Sequence, residues 1–189
     1  MAIARAHAAV NDHPDFACTA VPGAVTVFVI PDLPPGDELA APRPDPGAIE
    51  AVRRHLDVAR LITQEVYVLG PSYLDVDLRV TAGGEPVDAA EARASIDRRI
   101  RTYLHPLWGG DDGRGWPFGG PLRPSALIRR LQEAVGGDLR IESVEIRVGD
   151  PARAFESCED VAIQPHALVK PRVVEVRFAG GETAAGVLS

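Results

Sequence analysis

The sequence predicts an α+β fold made of two small sheet-plus-helix units in succession, ββαβ then βααββ, connected by long ordered loops. Three observations carry this expectation. Short runs rich in β-branched apolar residues, such as Ala24–Ile30 and Val173–Phe178, have strand length and strand composition. Two stretches with apolar residues at helical spacing follow N-cap residues, Asp45 and Asp88. Gly70-Pro71 interrupts two strand-like runs with no helix between them, which places a boundary near Gly70–Tyr73 and divides the chain into 1–71 and 72–189.

The elements follow in order. Ala2–Val10 is short and mildly alternating, a strand. Ala24–Ile30 is apolar at every position but Thr26, so it is expected to be buried on both faces at the centre of the first unit. A loop at 31–44 leads to a helix with Asp45 as cap, Pro46 at the first position, and Ile49, Val52, Leu56 and Ala59 as its apolar face. Glu65–Leu69 is a strand. Leu74–Thr81 alternates cleanly, with Leu74, Val76, Leu78 and Val80 on one side and Asp75, Asp77, Arg79 and Thr81 on the other, which predicts one solvated face. Asp88–Leu107 reads as a helix with Ala92, Ile96, Ile100, Tyr103, Leu104 and Leu107 on one stripe and Asp88/Glu91 as a capping box. Pro124–Val135 is a second helix, with Leu127, Ile128, Leu131 and Val135 inward and Gly136-Gly137 as its stop. The alternation in Leu139–Val148 slips by one residue near Ser143, the mark of a β-bulge. A loop at 149–165, a last strand at Val173–Phe178 and a frayed tail at 180–189 complete the chain.

Bulk properties exclude several classes. The chain has 189 residues, 46% of them hydrophobic, enough for a packed core. Only 5% are aromatic, so aliphatic side chains must fill that core. The net charge is −7, which argues against nucleic acid as a partner, because phosphate neutralisation needs clustered cations. All cations but Lys170 are arginines, which suit bidentate, partly buried ion pairs, although high-GC codon usage explains the bias equally well. No run has bilayer-spanning length and the start lacks a signal-peptide layout, so a cytoplasmic protein without membrane insertion is expected. Cys18 and Cys158 lie in loop-like sequence and are expected to be free thiols.

No residue pattern marks an active site. Asp12, His13, Asp15 and Cys18 lack metal-ligand spacing, and Asx turns are their simpler role. Asp111-Asp112-Gly113 resembles part of a calcium loop without the later glutamate. Gly113-x-Gly115 fits neither phosphate-binding pattern. Ser125 and Ser143 have no nucleophile-elbow context, Glu142 and Glu145 are expected to be solvated, and His105 sits at a helix C-terminus where a positive charge meets the dipole. Neither a cofactor, a metal nor a catalytic residue is expected.

The informative stretch is Leu104–Gly120, LHPLWGGDDGRGWPFGG. It holds six glycines and both tryptophans. A polar linker has no use for two Trp and a Phe. The loop is either packed on its own core or a docking element, with Trp108, Arg114, Trp116, Pro117 and Phe118 as the candidate contacts.

Tyr103-Leu104-His105-Pro106-Leu107, Gly109-Gly110, Gly113 and Gly115-Trp116-Pro117-Phe118-Gly119 resemble the C-terminal part of the baseplate J-like baseplate assembly proteins of phage tails and contractile injection systems. HPDFACTAVPGAVTVFVIP, LITQEVYVLGPSYLDVDLRV and CEDVAIQPHALVKPRVVEVRF fit the same family in the same order. The resemblance implies a non-enzymatic component of the baseplate wedge, linking spike and hub to sheath. Its implied partners are other wedge proteins, spike or hub, and sheath-proximal subunits, in multiple copies around a central axis. Family members are longer, and a helix precedes their equivalent of the first strand, so the chain is expected to correspond to a C-terminal portion. The alternative from the residues alone is a small ferredoxin-like ligand-binding or regulatory domain, which would need a pocket of convergent polar groups.

Overall fold

The computed structural model describes residues 2–16, 19–34, 41–135 and 139–179. Its elements are β1 (Ile3–Val10), β2 (Ala24–Pro31), α1 (Pro46–Asp57), β3 (Glu65–Leu69), β4 (Ser72–Gly83), α2 (Ala89–Tyr103), α3 (Pro124–Gln132), β5 (Arg140–Val148) and β6 (Ala167–Ala179). This is the α+β class in the expected order. The chain forms two compact units, Met1–Tyr73 with Gln164–Leu168, and Leu74–Ile163 with Val169–Ser189. Nothing in the sequence marks Gln164–Leu168 as belonging with the first unit.

In the first unit the sheet order is β1-β2-β3, with β2 antiparallel to β1 and parallel to β3. β2 is central as expected, and Val29 and Ile30 are fully buried. A parallel pair needs a crossover, and α1 supplies it. The Asp45 carboxylate caps α1 by accepting from the Ala48 N–H at 2.8 Å, and Pro46 occupies the first turn, where no backbone donor is required. Ile49, Val52 and Leu56 face inward and Ala48 is buried, but Ala59 lies beyond the helix end and is exposed.

In the second unit the order is β5-β4-β6. β4 and β5 are antiparallel from Val76↔Val148 to Gly83↔Arg140, and the register shifts between Thr81 and Ala82 so that Glu142 has no opposite number. The bulge is therefore where the phase slip predicts it. Val76, Leu78 and Val80 are fully buried, as are Ile96 and Ile100 of α2 and Leu127 and Leu131 of α3. α3 packs on β5 and α2 on α3.

Several expectations need correction. α2 ends at Tyr103, not Leu107, because Pro106 biases His105 away from helical backbone and Leu104 already leaves it at φ −88°, ψ 5°. α3 ends at Gln132; Ala134 and Val135 follow in a tightened turn, both donating to the Leu131 carbonyl at 2.9 and 3.1 Å. β6 starts at Ala167, not Val173, since Pro171 within it masks the strand pattern. The loop after β5 is tied down by bridges Ile146↔Glu156 and Leu122↔Val161. The expectations for Gly136-Gly137, for the tail at 180–189 and for Cys18 fall outside the described residues; Cys158 is a free, exposed thiol.

The largest correction concerns the polar face of β4. It is not a wet face: Asp77 is 1% exposed. Arg147, its cross-strand partner on β5, donates to Asp77 Oδ2 from Nε at 3.0 Å and Nη2 at 2.7 Å. Arg172 on β6 donates to Oδ1 at 2.9 Å and Oδ2 at 2.6 Å. Two residues on, the signs reverse: Arg79 donates to Glu145 of β5 at 3.2 Å and to Glu175 of β6 at 2.9 Å. Phe155, from the loop after β5, lies against two of the guanidinium groups, 4.2 Å from Arg79 and 4.4 Å from Arg147.

The guanidinium of Arg172, and with it that of Arg147, holds the Asp77 carboxyl at about 2, below its ordinary 3.8. A depressed acid contributes stability that is complete above the unfolded value and is lost as pH falls through the folded one. Asp77→Asn should destabilise the protein by about 2–4 kcal/mol, less than the ~3–5 kcal/mol of breaking a fully buried pair because both arginines are partly exposed and can rehydrate. Urea denaturation followed from neutral pH to about pH 2 should show a shallower acid decline in the variant than in the wild type.

Candidate functional site

The 104–120 loop is a closed, hydrogen-bonded structure. The His105 carbonyl accepts from Gly109 N at 3.0 Å and from Trp116 N at 2.9 Å, so the outgoing and returning arms meet at one oxygen. Tyr103 O accepts from Gly110 N at 2.7 Å, and Gly109 O from Gly115 N at 2.9 Å. This closure dictates two glycines. A Cβ on Gly109 would collide with the backbone of Tyr103 and His105. Gly115 turns the chain back at φ +96°, which side chains rarely adopt.

Side chains fix the loop at both ends. Trp116 is 6% exposed and packs edge-on against Tyr103, ring centres 5.4 Å apart and planes at 76°. The Asp111 carboxylate accepts from Arg130 of α3 at 2.8 Å and from the Tyr103 hydroxyl at 3.2 Å. Arg130 foremost, and the Tyr103 hydroxyl after it, hold the Asp111 carboxyl below its ordinary value. Asp112 Oδ1 accepts from the Arg114 amide at 3.1 Å, an Asx turn. The calcium-like tripeptide is thus an anchor and a turn. No group of three or more metal-type side chains occurs among the described residues.

His105 is buried, and its Nδ1 accepts from the Leu107 N–H at 3.1 Å. A doubly protonated ring has no lone pair for that bond, so the expected charge-capping role gives way to a neutral one. Its ring lies flat under Trp108, centroids 3.8 Å apart and planes at 3°. Trp108 remains 39% exposed on this rigid support.

The five candidate contacts therefore separate. Trp108, Arg114 and Pro117 are exposed, Phe118 is half-buried, and Trp116 is turned into its own unit. Beside Trp108 is a cleft of ≈ 220 Å³ lined by Arg99, Thr102, Tyr103, Gly110, Asp111 and Arg130 among others. The anchoring set Tyr103, Asp111 and Arg130 was not marked by sequence reasoning, because Arg130 arrives from the next helix and nothing local couples it to Asp111.

Trp116→Ala should cost ~3–5 kcal/mol, the usual cost of truncating a buried aromatic. Gly109→Ala, which forces the backbone apart, should lower the melting temperature as well, and thermal unfolding of both variants checks this.

No protein-family model matches the sequence, and no curated protein matches it. No helix among the described residues is long and apolar enough to cross a membrane. Among solved structures, a chain of the anti-feeding prophage (AFP) baseplate, determined by cryo-EM and 6-fold symmetrised, matches with a TM-score of 0.56 at 13% identity. The match covers 89% of this chain and 33% of that one, so this chain shares its fold with about a third of that baseplate subunit.

Proposed function

We propose that this chain is a non-enzymatic structural component of the baseplate of a phage-tail-like contractile injection particle, part of the wedge that links spike and hub to sheath. The observation that carries this reading is the fold likeness over 89% of the chain to a subunit of a symmetric baseplate. The resemblance of the ordered motifs to baseplate J-like proteins points the same way. The chain would act in the cytoplasm, assembled in several copies around the particle axis. Wedge neighbours, spike or hub, and sheath-proximal subunits are its proposed partners.

The 104–120 loop is the proposed contact. A docking element gains affinity when its ordering is complete before binding, and this loop is ordered by backbone bonds, the Asp111 anchor and buried Trp116. What it offers outward is an indole on a fixed support, and Arg114 and Pro117 of the same loop are exposed as well. Trp and Arg are the residue types that most often dominate interface energetics. The adjacent cleft favours docking over ligand capture, since Arg130 and Asp111 in its wall already satisfy one another.

Co-expression with the proteins encoded beside it, followed by affinity purification and size-exclusion chromatography, tests the reading. The wild type should elute in a complex. Trp108→Ala should leave the melting temperature nearly unchanged and weaken the complex by ~2 kcal/mol or more, ~30-fold in affinity. A chain that stays monomeric beside every neighbouring product overturns the baseplate role. A complex indifferent to Trp108→Ala overturns only the loop's part in it.

A further inference from the structure

The turn that leads into β6 holds a histidine where a glycine would be expected. Ala167 N donates to Gln164 O at 3.2 Å, with Pro165 second and His166 third in the turn. His166 has φ +64°, the left-handed conformation that third-position Gly or Asn adopts in a type II turn. A strained side chain persists when its surroundings hold it there.

The surroundings are unusually specific. The His166 ring stacks on Phe28 of β2, centroids 5.4 Å apart and planes at 13°. Its Nδ1 lies 3.2 Å from Nε2 of His7, the β1 residue paired with Phe28 in the sheet. Its Nε2 lies 4.0 Å from an Asp12 carboxylate oxygen. Among the described residues, charged groups facing the pair include Arg5, on the same strand as His7, and Asp12, on the loop after it; β2 contributes no charge.

Two imidazole nitrogens at this distance share one hydrogen, one donating and one accepting. With one ring protonated at its outer nitrogen, its other N–H still donates to the neutral partner across the 3.2 Å contact and the bridge survives. A second proton occupies the accepting lone pair. Two N–H groups then face one another, each on a cation, with Arg5 adding to the repulsion.

We propose that His7 and His166 form an acid-released latch that holds Gln164–Leu168 on the sheet of the first unit at neutral pH and frees it when both rings are protonated. Burial, followed by the charges of His166 and Arg5, holds the His7 pKa below its ordinary 6.5. A His depressed in the folded state contributes fully above the unfolded value, and that contribution is lost as pH falls from 6.5 through the folded value.

Hydrogen exchange read by mass spectrometry, corrected for intrinsic rates, tests this at about pH 7.5 and about pH 4.5, either side of imidazole titration. The peptide covering 164–168 should lose protection about tenfold or more at the lower pH, while peptides from β4 keep theirs. His7→Gln, whose amide still accepts from His166 but does not titrate, should abolish the change. An unchanged wild-type peptide, or an equal drop in His7→Gln, overturns the latch. Ring-proton NMR titration of the wild type decides independently of any variant. Coupled steps with His7 titrating last support the latch, and two independent, ordinary titrations refute it.

Discussion

The second unit depends on Asp77 being an anion. Its strand is the middle one, and its carboxylate takes donors from the strand on either side, Arg147 of β5 and Arg172 of β6. Backbone ladders hold neighbours together whatever their side chains, so they do not choose a register; the Asp77 and Arg79 clusters do. A slip of either flanking strand by one residue would put its guanidinium on the opposite face, where Val76, Leu78 and Val80 are fully buried, and leave Asp77 with one arginine in place of two. The charges cost stability in desolvation and return it as specificity of pairing.

This explains where the sequence was legible. β2, the Asp45-Pro46 helix start and the bulge opposite Ala82 could be read directly, because each is fixed by neighbours in the chain: a run of β-branched residues, a cap and its proline, a broken alternation. The polar side of β4 was misread for the opposite reason. Alternating Asp and Arg look the same whether they meet water or one another, and only the arrival of Arg172, far along the chain, decides between them. β6 was shortened by Pro171 and by turn residues just before it. In the candidate site, composition alone identified the loop, but not which tryptophan is outside. That depends on His105 stacking under Trp108 and on Tyr103 receiving Trp116, and neither contact has a sequence signature.

The loop and the sheet solve one problem in the same way. In each, a carboxylate is gripped by arginine from a different element: Asp77 by β5 and β6, Asp111 by α3. With aromatics scarce, apolar contact is limited, and directional pairs supply the remaining precision. The arginine-for-lysine bias thus has a structural use here, since the forked guanidinium donates twice to one carboxylate at Arg147 and again at Arg172.

The outer strands of the second sheet carry a further consequence. The Ile146 N–H and C=O on β5 are taken up by Glu156, which donates at 2.7 Å and accepts at 2.8 Å. On β6, Pro171 has no N–H to offer, and its carbonyl already accepts from Arg101 at 2.9 Å. Each margin is therefore blunted against a stray strand from another molecule. Edge-to-edge pairing of the kind that builds fibrils is then disfavoured at Ile146 and at Pro171.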